Sequence, residues 1–348
     1  MKQAAHSNVM RTVSAPYRLI ALLMAFSMPA GMVYAADESR VVKGWLLKMI
    51  KAERSVSYRG NFVYRHGDEM VAMQIVRAMG DNGMSEHLVS LNGDPGEVVR
   101  TPHRVKCLVP SLSRPVIYDN PQMEASTTEG LRARIDEIER YYRLSVGEAT
   151  RVVGRAAQAV VITPRDQYRY GYQVWIDQQS GLLLKSEHLT ADGKVLEQMI
   201  YSNIEIFGQK IPDEVQQLLA KTVAESVTAG DTAAKKQPML RRASDSDNNN
   251  WAVKYIPNGF ALANYQRRND VRHSPFEHIV FSDGLASVSV FIEKQDGAGP
   301  YNGVSQRGAM NAYLATVDDY QVVVVGEVPL ETLELIGESV RHSPVTIH

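Results

Sequence analysis

The chain has 348 residues, of which 38 are basic and 39 acidic, so its formal net charge is −1. A protein that binds nucleic acid would show a basic excess, and this chain has none, so we expect no nucleic-acid partner. Cys107 is the only cysteine, which excludes an internal disulfide. Its position in an alternating stretch predicts a buried, unreactive thiol.

Residues 1–35 predict a secretory signal peptide. Three basic residues and no acidic residue accompany an apolar run over 19–28, and small residues at Val33 and Ala35 predict cleavage after Ala35. The run is too short to cross a bilayer, which requires about 20 apolar residues. We therefore expect an exported, soluble protein of the Gram-negative periplasm.

The mature chain predicts one helix followed by strands. Apolar residues recur every three or four positions over 41–50, after the N-cap candidates Asp37 and Ser39. The period then changes to two, which indicates strands separated by turns. The predicted strands are 57–65, 69–79, 86–91, 97–100 and 104–109.

A second helix and a meander of strands follow. Leu131, Ile135, Ile138 and Tyr142 lie on one stripe, which predicts a helix over 129–144. Short loops between the next strands require antiparallel pairing. Because helices are too few to alternate with strands, the predicted fold class is α+β. The predicted strands of the meander are 152–163, 168–177, 182–190 and 195–207.

A change in composition divides the chain. Residues 221–250 are rich in small and charged side chains and predict a linker. We therefore expect a first domain over 36–220 and a smaller α+β domain over 251–348. In the second domain the predicted strands are 251–256, 276–281, 287–293 and 321–325, and a final helix begins at Pro329.

The sequence contains none of the common catalytic signatures. There is no H-E-x-x-H, no paired cysteine and no G-x-S-x-G, and the histidines are scattered along the chain. We therefore predict neither an enzyme nor a metal site, and no cofactor.

An aromatic stretch predicts the polar rim of an apolar cavity. Tyr168, Tyr170 and Tyr172 share one face of a predicted strand, and Arg165 and Arg169 flank them. Tyrosine suits the boundary between an apolar lining and water, and arginine can pair with a phosphate through two hydrogen bonds. The alternative is a half-buried strand without a ligand, because strands favour aromatic residues in any case.

Several segments carry a recognisable family pattern. They are residues 58–64, 86–93, 97–100, 251–253, 257–260 and 281–293, the last of which reads FSDGLASVSVFIE. In these segments the chain resembles the RseB/MucB family, periplasmic negative regulators of an envelope-stress sigma factor. It departs from the family pattern at His87, Asn92 and Gly96, where relatives have Arg, Asp and Arg. The meander over 170–207 also resembles the half-barrel of LolA-like lipoprotein carriers.

The resemblance implies a fold and a function. The fold is an N-terminal LolA-like antiparallel half-barrel with covering helices and an apolar cavity, plus a smaller C-terminal α+β domain that binds an anti-sigma factor. The partner is the periplasmic domain of a single-pass RseA/MucA-like membrane protein. The regulator shields this domain from regulated proteolysis until lipid or lipopolysaccharide fragments release it.

The resemblance also directs attention to particular surfaces and partners. We expect the partner-binding region at Ser282, Asp283, Gly284, Leu285 and Phe291. Self-association into a homo-oligomer is a further expectation. The alternative function is a periplasmic lipid or lipoprotein carrier, which would use the same cavity to pass cargo onward.

Overall fold

The structure is a computed structural model that describes residues 30–80, 83–108, 116–119, 128–208, 210–228, 251–268, 276–295 and 301–342. Within these ranges all strand pairs are antiparallel and form sheets of eleven, two and six strands. We call the part built on the eleven-stranded sheet the N-terminal domain and the part built on the other two sheets the C-terminal domain. The α+β fold class predicted from the sequence is confirmed.

The elements of the N-terminal domain alternate little between helix and strand. They are α1 (Ala30–Glu53), β1 (Tyr58–His66), β2 (Glu69–Gly80), β3 (Gly83–Ser90), β4 (Glu97–Arg100), β5 (Arg104–Leu108), β6 (Val116–Asp119), α2 (Thr128–Ile138), β7 (Tyr142–Val152), β8 (Arg155–Pro164), β9 (Gly171–Asp177), β10 (Leu183–Leu189), β11 (Val195–Ile206) and α3 (Asp213–Thr228).

The eleven-stranded sheet consists of two meanders joined at its centre. Its strand order is β6-β5-β4-β3-β2-β1-β11-β10-β9-β8-β7, so β1 pairs with β2 on one side and with β11 on the other. Helix α1 packs Val42 and Leu46 against Tyr142 and Val160 of β7 and β8. This burial of apolar area stabilises the face of the sheet that α1 covers.

The C-terminal domain places one helix on a six-stranded sheet. Its elements are β12 (Trp251–Val253), β13 (Ala261–Arg268), β14 (Phe276–Ser282), β15 (Ser287–Lys294), β16 (Gly303–Arg307), β17 (Met310–Val317), β18 (Tyr320–Gly326), α4 (Leu330–Glu338) and β19 (Val340–His342). The strand order of the large sheet is β13-β14-β15-β18-β17-β16, and β12 pairs with β19. Leu333 and Ile336 of α4 share a fully buried core with Val290 and Val324.

The structure corrects two predictions around α2. The helix ends at Ile138 and not at 144, because Tyr142 and Leu144 are buried on one face of β7, which pairs with β8. The predicted strand over 152–163 begins later, at Arg155. Val153 and Gly154 both have a positive φ and form the turn between β7 and β8.

Other elements escaped prediction because their signals are weak. Strands β6, β13, β16, β17 and β19 were not predicted, and all of β16 is exposed. Val340, which the sequence pattern placed on the final helix, lies in β19 and pairs with Val253. Helix α3 was not predicted either, and it extends eight residues into the predicted linker. Val215 and Leu219 of α3 pack on the domain. The rest of that linker, and residues 1–29 of the predicted signal peptide, lie outside the described residues, so the domain bounds stay a prediction.

The predicted cleavage site after Ala35 falls inside α1, which begins at Ala30, and cleavage stays a prediction. Across the described ranges, no helix combines the length and the apolar character needed to cross a membrane.

Candidate functional site between the two domains

Arg169 lies two residues before β9, and its side chain is fully buried between the two domains. Its Nε donates a hydrogen bond to Oδ2 of Asp283, 2.6 Å away, in the turn between β14 and β15. Its other nitrogens donate to the carboxylate of Asp166 and to the backbone carbonyl of Asn258. A buried guanidinium requires such partners, because an isolated buried charge is very costly. Arg169 therefore ties its own domain to the C-terminal domain.

Both oxygens of Asp283 are used. Oδ1 accepts the backbone N–H groups of Leu285 and Ala286 at 2.9 and 2.8 Å, which fixes the turn. Oδ2 accepts the hydroxyl of Tyr142 at 2.9 Å as well as Arg169. Burial and the charge of Asp283 raise the pKa of Tyr142, so this hydroxyl stays protonated and donates.

Aromatic rings from both domains surround the guanidinium. Its carbon lies 4.7 Å from the ring centre of Phe260 and 5.0 Å from that of Tyr141, distances typical of a cation–π contact. Gly259 makes this approach feasible. A Cβ on Gly259 would lie 2.7 Å from both Arg169 and Tyr141, and its φ of +95° favours glycine.

A second contact centres on Glu197 of β11. Its Oε1 accepts the backbone N–H of Ala309 at 2.8 Å, and Ala309 lies in the turn between β16 and β17. The hydroxyl of Tyr64 donates to Oε2 at 2.6 Å. Nδ1 of His66 is 2.5 Å from Oε1, and Nδ1 of His188 is 3.5 Å from Oε2. Three strands of the N-terminal sheet thus surround one carboxylate that also binds the C-terminal domain.

The environment of Glu197 favours its ionised form. Burial alone would raise the pKa of Glu197. The interaction with His188 and the hydrogen bonds from Tyr64 and Ala309 outweigh burial and lower the pKa to about 2. Glu197 is therefore a carboxylate at every pH near neutrality.

Further polar contacts line the same boundary. The amide of Asn311 donates to the hydroxyl of Tyr170 at 2.9 Å, and the hydroxyl of Thr332 donates to the carbonyl of Tyr168 at 3.1 Å. A salt bridge between Glu69 and Arg307 lies at the exposed edge, with side chains 61% and 65% exposed. Several hydrogen bonds and ion pairs thus connect the two domains.

The structure brings most of the predicted rim residues to this boundary. Tyr168, Tyr170 and Arg169 contact the C-terminal domain, and the ring of Tyr172 stacks edge-on against His188 at 4.4 Å. The predicted common strand face is wrong, because β9 begins only at Gly171. The function of these residues as a cavity rim stays a prediction.

Arg165, the other predicted rim residue, stays within the N-terminal domain. Its Nε donates to the carbonyls of Glu139 and Tyr142, at 3.1 and 3.2 Å. This holds the chain between β8 and β9 against the end of α2. The residue is exposed, unlike Arg169.

The predicted partner-binding residues separate into two places. Ser282 and Gly284 form the turn around Asp283, and Leu285 is 36% exposed beside it. Phe291 lies elsewhere, stacked on His278 with ring centres 4.3 Å apart. Partner binding by these residues stays a prediction.

The contact at Glu197 was not predicted from the sequence. One signal was available, because Glu197 alternates with Met199 and Tyr201 on one face of β11, and an acid on such a face requires partners. No pattern in the neighbouring sequence indicated that His66 and His188 would lie beside the carboxylate of Glu197. In the described part of the chain, no three His, Cys, Asp or Glu side chains are arranged to hold a metal ion.

Comparison with known proteins covers both domains. A model of the MucB/RseB N-terminal domain matches residues 41–222, and one of the MucB/RseB C-terminal domain matches residues 245–341. The sigma factor AlgU regulatory protein MucB of Pseudomonas aeruginosa is 31% identical, over 95% of this chain and 98% of the relative. The sigma-E factor regulatory protein RseB of Escherichia coli K12 is 25% identical, over 92% and 98%.

Solved structures agree with these matches. The crystal structure of MucB in complex with MucA(peri) is 27% identical, with a TM-score of 0.64, and covers 87% of this chain and 100% of the solved chain. The complex structure of Pseudomonas aeruginosa MucA/MucB has a TM-score of 0.65 at the same identity, covering 87% and 99%. Matches to both domains, and relatives covered almost end to end, establish that the chain belongs to the MucB/RseB family.

Proposed function

We propose that this chain is a periplasmic regulator that binds the periplasmic part of a membrane anti-sigma factor and thereby keeps an envelope-stress sigma factor inactive. The observation that carries the proposal is the match of both domains to MucB solved with MucA(peri). Relatives named as sigma factor regulatory proteins support it. A regulator of this kind requires binding surfaces and no catalytic group.

The proposal includes shielding and release. The bound regulator shields its partner from the protease that would start its degradation, and lipid or lipopolysaccharide fragments release the partner. Burial of one acyl CH₂ contributes about 0.8 kcal/mol, so a chain of about a dozen offers up to ~10 kcal/mol before entropic costs. Moving an equilibrium from nearly all bound to nearly all free requires ~5.5 kcal/mol of differential affinity. Acyl burial is therefore large enough to drive release.

We place the acyl chain on the face of the N-terminal sheet that also carries Glu197. Phe62 of β1 lies opposite Met73 of β2, and Leu88 and Met199 are partly buried nearby. These flexible and aromatic side chains form an adaptable apolar lining. Arg165 is the exposed cation that we propose for a lipid phosphate, because Arg169 is already bound to Asp283.

The proposed surface for the anti-sigma factor is the turn that follows β14. Leu285 is exposed beside Gly284, although the neighbouring Asp283 is buried. An exposed leucine next to a domain boundary can anchor a partner that spans both domains. Self-association stays a prediction, and the proposed binding of the anti-sigma factor does not require it.

The test is capture from an envelope extract. The immobilised mature chain is incubated with solubilised membrane and periplasmic proteins, with or without added lipopolysaccharide. We expect a single-pass membrane protein that is lost when lipopolysaccharide is added. Capture of lipoproteins, or of lipid without a protein partner, would support the carrier function instead.

A matched pair of variants tests the surface. Leu285→Glu should abolish capture, whereas Leu262→Glu should not, because Leu262 is even more exposed in the same domain but lies on β13 and not in the turn after β14. Shielding is measured separately, as the half-life of the purified partner fragment under protease with and without the regulator. An unchanged half-life would remove shielding from the proposal.

A further inference from the structure

The boundary between the domains contains one buried ion pair and several further polar contacts. We call Arg169, Asp283 and Tyr142 the interdomain latch. We propose that this latch selects one closed arrangement of the two domains and is built to open without unfolding either of them. Its connection to partner release rests on the proposed function.

The selection of one arrangement follows from the contacts of Arg169. Within its own domain the guanidinium binds Asp166, and from the other domain it binds Asp283 and the carbonyl of Asn258. Gly259 leaves no space for even a Cβ beside it. A small rotation of one domain would break both cross-domain bonds together and leave a buried cation with one partner. Intermediate arrangements are therefore strongly disfavoured.

The ability to open follows from the same chemistry. A buried ion pair contributes little net stability, because full opening returns both charges to water and recovers their hydration. The neighbouring cross-domain contacts, such as Asn311 with Tyr170 and Glu69 with Arg307, are also polar and can exchange for water. Polar boundaries between domains permit relative motion, whereas large apolar ones do not. The cores of the two domains are separate clusters, and of the three latch residues only Tyr142 belongs to one of them, the core of the N-terminal domain.

Asp283→Asn is the variant that removes the cross-domain ion pair of the latch and keeps the turn around position 283. The side-chain carbonyl of the asparagine can still accept from Leu285 and Ala286, so the turn is retained. Its amide group replaces Oδ2 and faces two donors, Arg169 Nε and the Tyr142 hydroxyl. In the closed arrangement the buried cation then has lost its cross-domain carboxylate and keeps only that of Asp166, and opening of the domains relieves this cost.

Glu69→Gln is the matched control. Glu69 forms another cross-domain ion pair, with Arg307, and both side chains are largely exposed. An exposed ion pair contributes little, so its loss should leave the closed arrangement unchanged.

Hydrogen exchange of the Ala309 amide reports opening. This amide is buried and donates to Glu197 at the second contact, so it exchanges only when the domains separate or unfold. In Asp283→Asn we expect its exchange to accelerate roughly 100-fold, with Glu69→Gln unchanged. The amides of Val290 and Val324, in central strands of the C-terminal sheet, should keep their protection. Unchanged exchange at Ala309, or equal acceleration in the central strands, overturns the proposal.

A double variant distinguishes the effect of losing the ion pair from the effect of losing the other contacts of Asp283. Arg169→Met combined with Asp283→Asn removes the cation that the single variant leaves without its cross-domain carboxylate. We expect slower exchange at Ala309 than in Asp283→Asn alone. Exchange as fast as in the single variant would show that the ion pair does not control closure.

The connection to the partner has its own measurement. If the closed arrangement holds the anti-sigma factor, Asp283→Asn should weaken binding of its purified periplasmic fragment about tenfold. Faster exchange with unchanged binding would support the latch and reject its function in release. Absence of binding by the unmodified protein would instead reject the proposed function and leave the exchange result intact.

Discussion

Ala309 of the C-terminal domain donates its backbone N–H to Oε1 of Glu197 in the N-terminal domain, and both residues are buried. The other oxygen of Glu197 accepts the hydroxyl of Tyr64 from its own domain. One carboxylate therefore stabilises both a sheet and a domain boundary. This makes the boundary dependent on the ionisation of Glu197.

Acid should weaken the protein through Glu197. Its folded-state pKa is about 2, against an ordinary value of 4.5, so its contribution is fully present above pH 4.5 and is lost as the pH falls toward 2. Glu197→Gln cannot ionise, so between about pH 6 and about pH 3 it should lose less stability than the unmodified protein, by about 2 kcal/mol. The measurement is the free energy of unfolding in urea at about pH 6 and about pH 3.

The control for this pH effect is Glu205→Gln on the same strand. Glu205 is 54% exposed and pairs with Arg59 at the surface, so its removal should leave the pH dependence close to that of the unmodified protein. Equal loss of stability in all three proteins would contradict the assignment to Glu197.

Gly308→Ala should separate the domains. The φ of Gly308 is +61°, and an added Cβ would lie 2.6 Å from Oε1 of Glu197 and from Nδ1 of His66. Gly193→Ala is the control, because its φ is +83° but nothing lies within 4 Å. Both variants carry about 1–2 kcal/mol of backbone strain, and only Gly308→Ala has the clash. Small-angle scattering should show a larger radius of gyration for Gly308→Ala alone, and equal radii would refute the prediction.

Leu333→Ala should destabilise the C-terminal domain. Leu333 of α4 is fully buried in the core with Val290 and Val324, so truncation leaves a cavity that costs about 2–5 kcal/mol. Leu262→Ala in the same domain should cost well under 1 kcal/mol, because Leu262 is 53% exposed. Urea unfolding monitored by tryptophan fluorescence, to which Trp251 of this core contributes, measures both. Similar midpoints for the two variants would be inconsistent with this core.

Cys107 should react slowly with thiol reagents. Burial raises the pKa of its thiol, and the lowering by Arg100 only partly opposes this effect. The reactive thiolate is therefore scarce near neutral pH. We expect labelling well below the rate of the same protein in denaturant, and well below that of a Ser287→Cys variant, whose site is exposed. Equal rates would show that Cys107 is accessible.

Local chemistry made much of the fold predictable. The turns at Gly67 and Gly193 adopt the positive φ that their glycines favour, and the strands beside them lie close to the predicted positions. Tyr142 is an exception, because it was predicted in a helix and lies in β7. Its spacing from Ile135 and Ile138 is helical, yet pairing with β8 decides its conformation.

The contacts between the domains were not predictable in this way. Arg169 and Asp283 are 114 positions apart, and Glu197 and Ala309 are 112 apart. The charged side chains of Arg169, Asp283 and Glu197 can be read from the sequence, but periodicity and turn chemistry describe only neighbours along the chain. The predicted rim and partner-binding residues nevertheless included Arg169 and Asp283, which meet each other.

The position of β11 imposes an order of assembly on the N-terminal domain. β1 to β6 and β7 to β10 are each neighbour-paired ribbons that can form as they are synthesised, but only β11 joins them, through pairs such as Tyr58 with Ile206. Until β11 is available, β1 and β10 are open edges able to pair with other chains. Pairing over such a separation is also slow. A chain truncated before Val195 would therefore present two half-sheets whose unpaired edges at β1 and β10 can pair with other chains.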